Sequence, residues 1–268
     1  MTDHAAQRAV LIVSAISSFL VPFMGSSISI ALPTIGREFH MDAVLLGWVP
    51  TSYLLVSAMF LLPLGRTADI YGRKRVFLLG TIVYTLGSLI SALATTGSML
   101  IFCRVIQGIG SAMTFSTSMA ILTSVYPREQ RGRAIGIVTA SVYTGLSLGP
   151  FLGGFLTQHL GWRSIFYVNV PLGMIVVVLV LQWLKGEWAE ARGEHLDLAG
   201  SILYALMLLL VMLGLSRLPS SSGTGLLVAG AMGVAAFFYV EARTGSPVLD
   251  VRVFRNNPVF AFSNLAAL

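Results

Sequence analysis

The amino-acid sequence predicts an all-α, polytopic membrane protein, and three observations support this fold class. Hydrophobic residues make up 56% of the 268 positions, whereas charged residues make up only 10%. A soluble domain usually carries about 25% charged residues, so this chain cannot cover a water-facing surface with polar groups. Long apolar runs recur along the chain, and Lys and Arg are concentrated in alternate connections between them. Lipid is therefore expected to be part of the solvent of this protein.

Eight apolar runs are long enough to cross a bilayer, since a spanning helix needs roughly 20 mostly apolar residues. The predicted spans are 9–31, 45–64, 76–95, 99–124, 134–157, 164–184, 197–216 and 224–241. A ninth run begins near Val259 and stops at Leu268. Lipid offers no partner to an exposed peptide group, which excludes open strands, and residues 174–181 lack the alternating polarity of a barrel strand. The first run is too long for a signal-peptide core, so we expect it to stay as a span.

The distribution of positive charge predicts the orientation of the chain. With the N-terminus inside, the inside connections hold 13 Lys and Arg residues, the outside connections hold 3, and Arg104 lies within a span. Because basic residues concentrate in cytoplasmic loops, we expect a multi-pass protein of the cell membrane with a cytoplasmic N-terminus. The same rule accounts for the net charge of +6 without nucleic acid as a partner.

The acidic residues and the reactive side chains indicate which functions are excluded. All 11 acids, Glu187 and Glu190 among them, fall in connections or near helix ends, where most are interpreted as solvated loop charges. The sequence holds no cluster of metal ligands, no nucleophile motif and no phosphate-binding Gly-x-x-x-x-Gly-Lys-Ser/Thr string. The four histidines are scattered, and the one cysteine, Cys103, cannot form an internal disulfide. These observations argue against an enzyme and imply neither a metal nor a cofactor.

The connection between the second and third spans carries the first motif, which runs Gly65-Arg66-Thr67-Ala68-Asp69-Ile70-Tyr71-Gly72-Arg73-Lys74-Arg75. Its two glycines suit a tight turn and a close backbone approach. Asp69 is expected either to accept hydrogen bonds from amides at a helix N-terminus or to pair with an arginine. Such a latch forms in one conformation and breaks in another. The alternative is a basic loop that only sets topology.

This string resembles the signature loop of the major facilitator superfamily, with Thr67 where the family usually has leucine. The resemblance implies a transporter in which five residues gate alternating access, namely Gly65, Asp69, Gly72, Arg73 and Lys74. It also implies the six-helix N-terminal bundle of the major facilitator fold, followed here by two extra transmembrane helices and the start of a ninth.

The fourth span contains a charged residue, Arg104, followed by Gln107 and the small residues Gly108, Ser111 and Ala112. A charge inside a membrane helix is costly and marks a functional site by default. The small residues allow a neighbouring helix to approach closely. The alternative is an arginine about one turn inside the span that snorkels to the helix end. The pattern resembles the fourth-helix motif of proton-driven superfamily members, in which the arginine is implicated in proton transfer or coupling.

The fifth span carries Gly145, Gly149 and Gly153 on one helix face, together with Pro150 and Gly154. The first three form two overlapping GxxxG patterns, which make a groove for a neighbouring helix. Proline removes one backbone hydrogen bond and predicts a kink. The whole string resembles the fifth-helix motif of superfamily antiporters, and this resemblance implies export rather than import.

Two further segments narrow the resemblance to the fourteen-helix drug/proton antiporters. Residues 127–134 are similar to the basic loop between helices four and five, and residues 162–171 are similar to the entry to helix six of that type. The seventh run follows a short connection, as in that type, which inserts two helices between its six-helix halves. Gly25 stands where those antiporters usually carry an aspartate, which weakens the case for proton-coupled export of cationic drugs. Ser27 and Ser29 can still line a polar path.

The predicted organisation has four parts. These are a six-helix transporter half over 1–185, a cytoplasmic loop over 186–196, two linker helices over 197–241, and a cytoplasmic segment with the start of the next helix over 242–268. Such transporters hold substrate between two related halves. We therefore expect a truncated chain, a second half on another chain, or assembly with a second copy, and we favour truncation.

The expected function is secondary active transport, namely proton-coupled antiport that exports small organic compounds. The expected partners are the lipid bilayer, a small-molecule substrate and protons. One alternative is a proton-linked metabolite permease, which the missing aspartate permits. The other is a membrane scaffold without transport activity, against which the membrane arginine and the intact gating string argue.

Overall fold

The computed structural model describes residues 3–251 together with Val253 and Ser263, and every regular element in these residues is a helix. The elements are α1 (Asp3–Phe39), α2 (Ala43–Tyr71), α3 (Arg73–Ala92), α4 (Gly97–Val125), α5 (Arg128–Leu160), α6 (Arg163–Trp183), α7 (Leu198–Ser216) and α8 (Ser221–Glu241). All eight are long and apolar enough to cross a membrane, which confirms the all-α, multi-pass fold. The predicted start of a ninth span near Val259 lies outside the described residues.

Five of the helices, α1, α2, α4, α5 and α8, extend beyond the predicted apolar spans, whereas α3, α6 and α7 match their spans in length to within one residue. The longest, α1, has 37 residues and is about 55 Å long at 1.5 Å per residue, whereas a bilayer's hydrocarbon core is about 30 Å thick. Side-chain caps fix the starts of α2 and α4. Asp42 accepts a hydrogen bond from the Leu45 amide (2.7 Å), and Thr96 accepts one from the Met99 amide (3.2 Å). The polar end turns are therefore helical as well.

The residues Met1–Glu190 form one compact unit that contains α1–α6. In this unit α4 is central and packs against α1, α2 and α3, while α1 packs along α5 and α3 along α6. Two apolar clusters fill its interior, one around Met24, Trp162 and Phe166 and the other around Phe77, Leu122 and Val180. The middle of α4, between Leu100 and Ile121, contributes many of the unit's buried polar and small residues.

One end of this unit is rich in positive charge. It is the end at which α2 meets α3, α4 meets α5, and α6 finishes. We call it the basic end because it carries the following residues: Arg66, Arg73, Lys74, Arg75, Arg128, Arg131, Arg133 and Lys185. Charged and polar contacts join its connections to one another, and these contacts position the gating motif described below.

The residues Ala191–Leu268 form a second unit, in which α7 and α8 pack along each other. Glycines allow the two helices to approach, since a Cβ added at Gly214 would meet the Leu227 backbone at 2.8 Å. Asp197 caps α7 by accepting a hydrogen bond from the Gly200 amide (2.8 Å), and Ser220 caps α8 in the same way. In the connection that follows α6, the residues up to Glu190 belong to the six-helix unit, and the second unit begins at Ala191.

Candidate functional site

Arg104 lies in the second turn of α4 and has no exposed surface. Its Nε donates a hydrogen bond to the carbonyl oxygen of Val49 in α2 at 3.3 Å, and its Nη1 donates to Oε1 of Gln107, one turn further along α4. The guanidinium carbon lies 4.0 Å from the centre of the Tyr53 ring, a cation–π distance. The snorkelling alternative is excluded within this structure, because the side chain is enclosed by protein rather than extended to the helix end.

Gln107 connects this arginine to α3. Its Nε2 donates a hydrogen bond to Oγ of Ser88 at 2.6 Å, and Ser88 donates to the carbonyl oxygen of Tyr84 at 3.0 Å. The structure thus brings Arg104 and Gln107 together, as the sequence predicted. The resulting buried polar network joins α2, α3 and α4.

Tyr53 extends the network towards an apolar cavity beside α2 and α4. Its hydroxyl donates a hydrogen bond to Oγ of Ser111 at 2.7 Å. Both residues also line an apolar cavity of about 180 Å³, whose other walls include Leu54 and Phe115. The Tyr53 ring therefore lies between Arg104 and this cavity, and it contacts the guanidinium while its side chain lines the cavity.

The charge of Arg104 has no acidic partner among residues 3–251. It forms no ion pair there, and its Nη2 has no hydrogen-bond partner. A buried cation is costly unless it is paired. The guanidinium therefore has one donor group that remains available for an anionic or carbonyl group that enters the site.

The two serines predicted to line a polar path lie on different faces of α1. Ser27 is fully buried and donates a hydrogen bond to the carbonyl oxygen of Gly149 in α5 at 3.0 Å, so it belongs to a helix interface. Ser29 is exposed and donates to the carbonyl oxygen of Gly25 on its own helix at 3.1 Å. A Cβ added at Gly25 would meet nothing within 4 Å. The structure therefore brings neither serine to Arg104, and only Ser29 shares an open face with Gly25.

The glycine motif of α5 packs directly on α1. A Cβ at Gly145 would lie 2.5 Å from the backbone oxygen of Phe19, and a Cβ at Gly153 would lie 2.7 Å from Cα of Ser27. Gly149 faces Ser26 just as closely, whereas Gly154 has only an ordinary contact with Ile30, at 3.7 Å. The motif is thus a backbone-to-backbone seam. Pro150 lies on the exposed side of α5, which continues as one helix from Arg128 to Leu160.

The gating string differs from the predicted loop. All of its residues are helical except Gly72, which has φ +121° and links the end of α2 directly to the start of α3. This backbone conformation favours glycine, and an added Cβ would also meet the Glu187 carboxyl carbon at 2.5 Å. Gly65 lies within α2 beside Ser116 of α4. The chain therefore reverses direction between α2 and α3 at one residue instead of over a loop, because both helices extend through the basic residues.

Arg73 is the centre of the gating contacts. Its Nε donates to Oδ1 of Asp69 at 2.7 Å, and its Nη1 donates to Oγ of Ser124 at the end of α4, also at 2.7 Å. Of the two roles considered for Asp69, the structure shows the pairing with an arginine. This contact holds the ends of α2, α3 and α4 together at the basic end.

A segment after α6 completes the latch, and we call residues Glu187–Glu190 the strap. Glu190 accepts a hydrogen bond from Arg73 Nη1 at 2.7 Å, and the Trp188 carbonyl oxygen accepts one from the Arg73 amide at 2.8 Å. Glu187 accepts a hydrogen bond from the Lys74 amide at 2.8 Å. The hydrogen bond from Arg73 lowers the pKa of Glu190 below that of an ordinary glutamate.

Four participating residues were missed in the sequence. Most of the acids were interpreted as solvated loop charges, and no role was predicted for Glu187 or Glu190. Both contact the gating turn, although the Glu190 side chain is 68% exposed. Their signal was available: two acids lie in a connection that shares a membrane side with the Arg73–Arg75 cluster. Nothing in the sequence marks Tyr53 or Ser88 as part of the site, because a single tyrosine or serine is common within an apolar run.

Comparison with known proteins identifies the family. The model of the Major Facilitator Superfamily matches residues 14–267. The chain belongs to the major facilitator superfamily. This membership agrees with the eight helices that are long and apolar enough to cross a membrane.

Several superfamily relatives are similar over nearly the whole chain. Multidrug resistance protein Stp of Mycobacterium tuberculosis (strain CDC 1551 / Oshkosh) is 35% identical over 259 residues, covering 94% of this chain and 48% of that protein. Cephamycin export protein CmcT of Amycolatopsis lactamdurans is 38% identical over 266 residues, covering 96% and 54%. Riboflavin transporter RibZ of Clostridioides difficile (strain 630) is 31% identical over 250 residues, covering 92% and 54%. The chain thus spans about half the length of these curated relatives.

Proposed function

We propose that this chain is the N-terminal portion of a fourteen-helix drug/proton antiporter that exports small organic compounds. In this proposal the N-terminus and the basic end lie in the cytoplasm. Two features support the type: a six-helix unit is followed by the helix pair α7–α8, and the chain spans about half of relatives whose names describe resistance, export or transport. A second six-helix half, on the same or another chain, would complete the substrate pathway.

The observation that carries the proposal is the buried network around Arg104. An unpaired guanidinium inside a membrane helix is expensive, so its presence favours a functional role over a packing role. Arginine keeps its proton at any physiological pH. Its role in coupling is therefore to stabilise the deprotonated form of another group, through its charge and the available Nη2 donor. Protonation of that group would weaken this attraction and favour a different conformation.

The substrate class follows from the cavity next to the network. Its volume of about 180 Å³ and its wall residues Leu54 and Phe115 suit a small apolar or aromatic group. The Tyr53 and Ser111 hydroxyls provide polar atoms at the same wall. A compound bound there would contact Tyr53, whose ring lies against Arg104, so substrate occupancy and the charge of the network would be physically linked.

A proton-linked metabolite permease is the second candidate, and Gly25 favours it. The position has open space but no acid, so α1 provides no proton-binding carboxylate at this point. Under this reading the substrate enters with a proton instead of leaving in exchange for one. Gly25→Asp fits sterically and separates the two cases, since an acid should improve efflux of a cation such as ethidium only in an exporter.

Efflux from whole cells tests the proposal. The chain would be expressed alone and together with the coding sequence that follows Leu268, in a bacterial strain that lacks its own efflux pumps. Ethidium, riboflavin and a cephamycin serve as probes. We expect lower accumulation of at least one probe with the extended product, dependence on the proton gradient, and loss of the effect in Arg104→Ala. Equal accumulation with and without the protein for all three probes, at confirmed expression, would contradict export.

A further inference from the structure

Two cavities lie along the seam between α1 and α5 in the six-helix unit. The first, of about 360 Å³, is at the basic end, and its polar wall includes Arg8, Gln130 and Arg133. The second, also about 360 Å³, is lined by Phe19, Thr144 and apolar residues of α6. Neither cavity contains a residue of the Arg104 network or of the strap.

The helix register places the two cavities in one line. On α1 the first cavity is lined by Arg8 and Leu11, and the second by Ala15 and Phe19, at spacings of three and four residues. On α5 the corresponding positions are Arg133, Ile137, Ser141 and Thr144, with the same spacing. Residues three and four apart share a helix face. The same faces of α1 and α5 therefore line both cavities, and we call the two cavities together the groove along the α1–α5 seam.

The groove is basic at one end and apolar along its length. Neither Arg8 nor Arg133 forms a hydrogen bond or an ion pair within the part of the chain that the structure describes, and no acid lines the first cavity there. Tyr126 fixes the wall between them by donating a hydrogen bond to the carbonyl oxygen of Gln7 at 2.9 Å. Burial raises the pKa of Tyr126, so its hydroxyl remains a neutral donor. The basic end of the groove therefore presents two guanidinium groups, of Arg8 and Arg133, that have no acidic partner among the described residues.

The second section has the character of a lipid-facing surface. It is lined by Leu172 and Ile175 of α6, and the exposed face of α6 continues as Met174, Val178 and Leu181. From Arg133 to Thr144 the helix rises about 16 Å at 1.5 Å per residue. That distance is about half of a 30 Å hydrocarbon core, which is the depth of one leaflet.

We infer that this groove binds one anionic phospholipid, with its phosphate between Arg8 and Arg133 and an acyl chain along Ala15, Phe19 and Thr144. Basic pockets between membrane helices at the cytoplasmic side attract anionic headgroups. The apolar section favours a lipid over a free phosphate, since only a lipid has an acyl chain that can fill this section. The inference rests on the proposed placement of the basic end in the cytoplasm, where the leaflet is anionic.

The test is native mass spectrometry of the purified 268-residue chain in detergent, titrated with dioleoyl phosphatidylglycerol or dioleoyl phosphatidylcholine. The variant Arg8→Gln/Arg133→Gln removes the headgroup contacts. Its matched control, Arg128→Gln/Lys185→Gln, removes two exposed charges of the same end that line neither cavity. Ala15→Trp fills the acyl section while both arginines stay. Circular dichroism and gel filtration show whether each variant is folded.

We expect one phosphatidylglycerol to bind the wild-type chain at least tenfold more tightly than phosphatidylcholine. Affinity should fall about twenty-fivefold in the arginine variant, since each of the two cations near an anionic surface contributes about fivefold, and less than twofold in the control. Ala15→Trp should also weaken binding. Equal affinity for the two lipids, an equal loss in the control, or full competition by glycerol 3-phosphate would overturn the inference. No transport is measured, so these outcomes are independent of the export proposal.

Discussion

Arg104 shows how one residue links packing to chemistry in this chain. Its planar guanidinium donates in two directions, to Val49 of α2 and to Gln107 of α4, while its face lies on Tyr53. No other side chain type provides all three contacts, because lysine is a point charge without a planar fork. The geometry thus explains why an arginine, rather than any cation, suits the position.

Substitution of Arg104 by lysine tests this argument. Lysine keeps the charge but cannot make both hydrogen bonds and stack on Tyr53. Each lost charged hydrogen bond is worth about 1.5–3 kcal/mol, so we expect the transport rate to fall about tenfold to a hundredfold. Initial rates of ethidium efflux at equal expression provide the measurement. A lysine variant with the wild-type rate would show that only the charge matters.

The arginine and Gln107 could be predicted from sequence, because a charge in an apolar run is conspicuous. Tyr53 and Ser88 could not, because their roles depend on which faces of α2 and α3 meet α4. Ser27 and Ser29 were predicted together, yet residues two apart lie on nearly opposite faces of a helix. Which residues meet at the site depends on the direction of each side chain, and the hydropathy pattern does not give that direction.

Among the elements, the seam between α1 and α5 depends on glycines of α5, which have no side chain to keep the two helices apart. The Gly145 backbone lies so close to Phe19 that a methyl group would touch the opposing backbone, which cannot rotate away as a side chain can. In lipid, helix association depends on such close packing rather than on hydrophobic burial. The sequence predicted a packing groove here, and the structure identifies α1 as the helix that fills it.

Gly145→Ala should therefore push α1 away from α5. Overpacking of this kind costs about 1–3 kcal/mol, so we expect a lower thermal unfolding midpoint in detergent. The control is Gly136→Ala on the same helix, where an added Cβ meets nothing within 4 Å. That change should be neutral or stabilising, since alanine favours a helix. Equal effects of the two substitutions would contradict the close approach at Gly145.

The strap is the second element with a testable role. Glu187→Gln/Glu190→Gln removes both acids that contact the gating turn, and trypsin cleavage at Lys185 and Arg192 reports on its release. We expect faster cleavage than in wild type. The control Glu129→Gln removes an exposed acid of the same basic end and should leave the cleavage rate unchanged. An unchanged rate in the double variant would show that the strap is held by its backbone contacts alone.

The strap should also respond to pH in one direction. The folded-state pKa of Glu190 is lowered by its contact with Arg73. The ionised carboxylate therefore stabilises the strap above the ordinary glutamate range, and this stabilisation is lost as pH falls through the lowered pKa. We therefore expect Arg73–Glu190 pairing to persist from pH 7 to pH 5 and to weaken only below the ordinary glutamate range. Tryptophan fluorescence of Trp188, in a chain whose other three tryptophans are phenylalanine, follows this change. Release between pH 7 and pH 5 would contradict the assignment.

At the scale of the whole molecule, composition was enough to predict eight membrane helices, because lipid permits few alternatives. The lengths of α1, α2, α4, α5 and α8 were underestimated, since hydropathy marks the hydrocarbon region whereas these helices continue through polar turns. For the same reason the gating string was predicted as a loop although only Gly72 is non-helical. The sequence placed the strap acids and Arg73 on the same side of the membrane, but that they contact each other depends on tertiary structure.

The proposed orientation makes a prediction of its own. Cys103 is buried and can be replaced, after which single cysteines at Thr95 and Lys185 mark opposite ends of the six-helix unit. With a cytoplasmic N-terminus, a membrane-impermeant maleimide should label Thr95→Cys in intact cells and Lys185→Cys only in inverted vesicles. The reverse pattern would contradict the orientation that the positive charges predict.

Proton exchange in inverted membrane vesicles tests the central claim most directly. The chain, expressed with the coding sequence after Leu268, is placed under an acid-inside gradient reported by a pH-sensitive acridine dye, and ethidium, riboflavin or a cephamycin is added. We expect a transported compound to release part of the gradient, and Arg104→Ala to abolish this release at equal expression. Transport that leaves the gradient unchanged, or a full proton signal in Arg104→Ala, would contradict it.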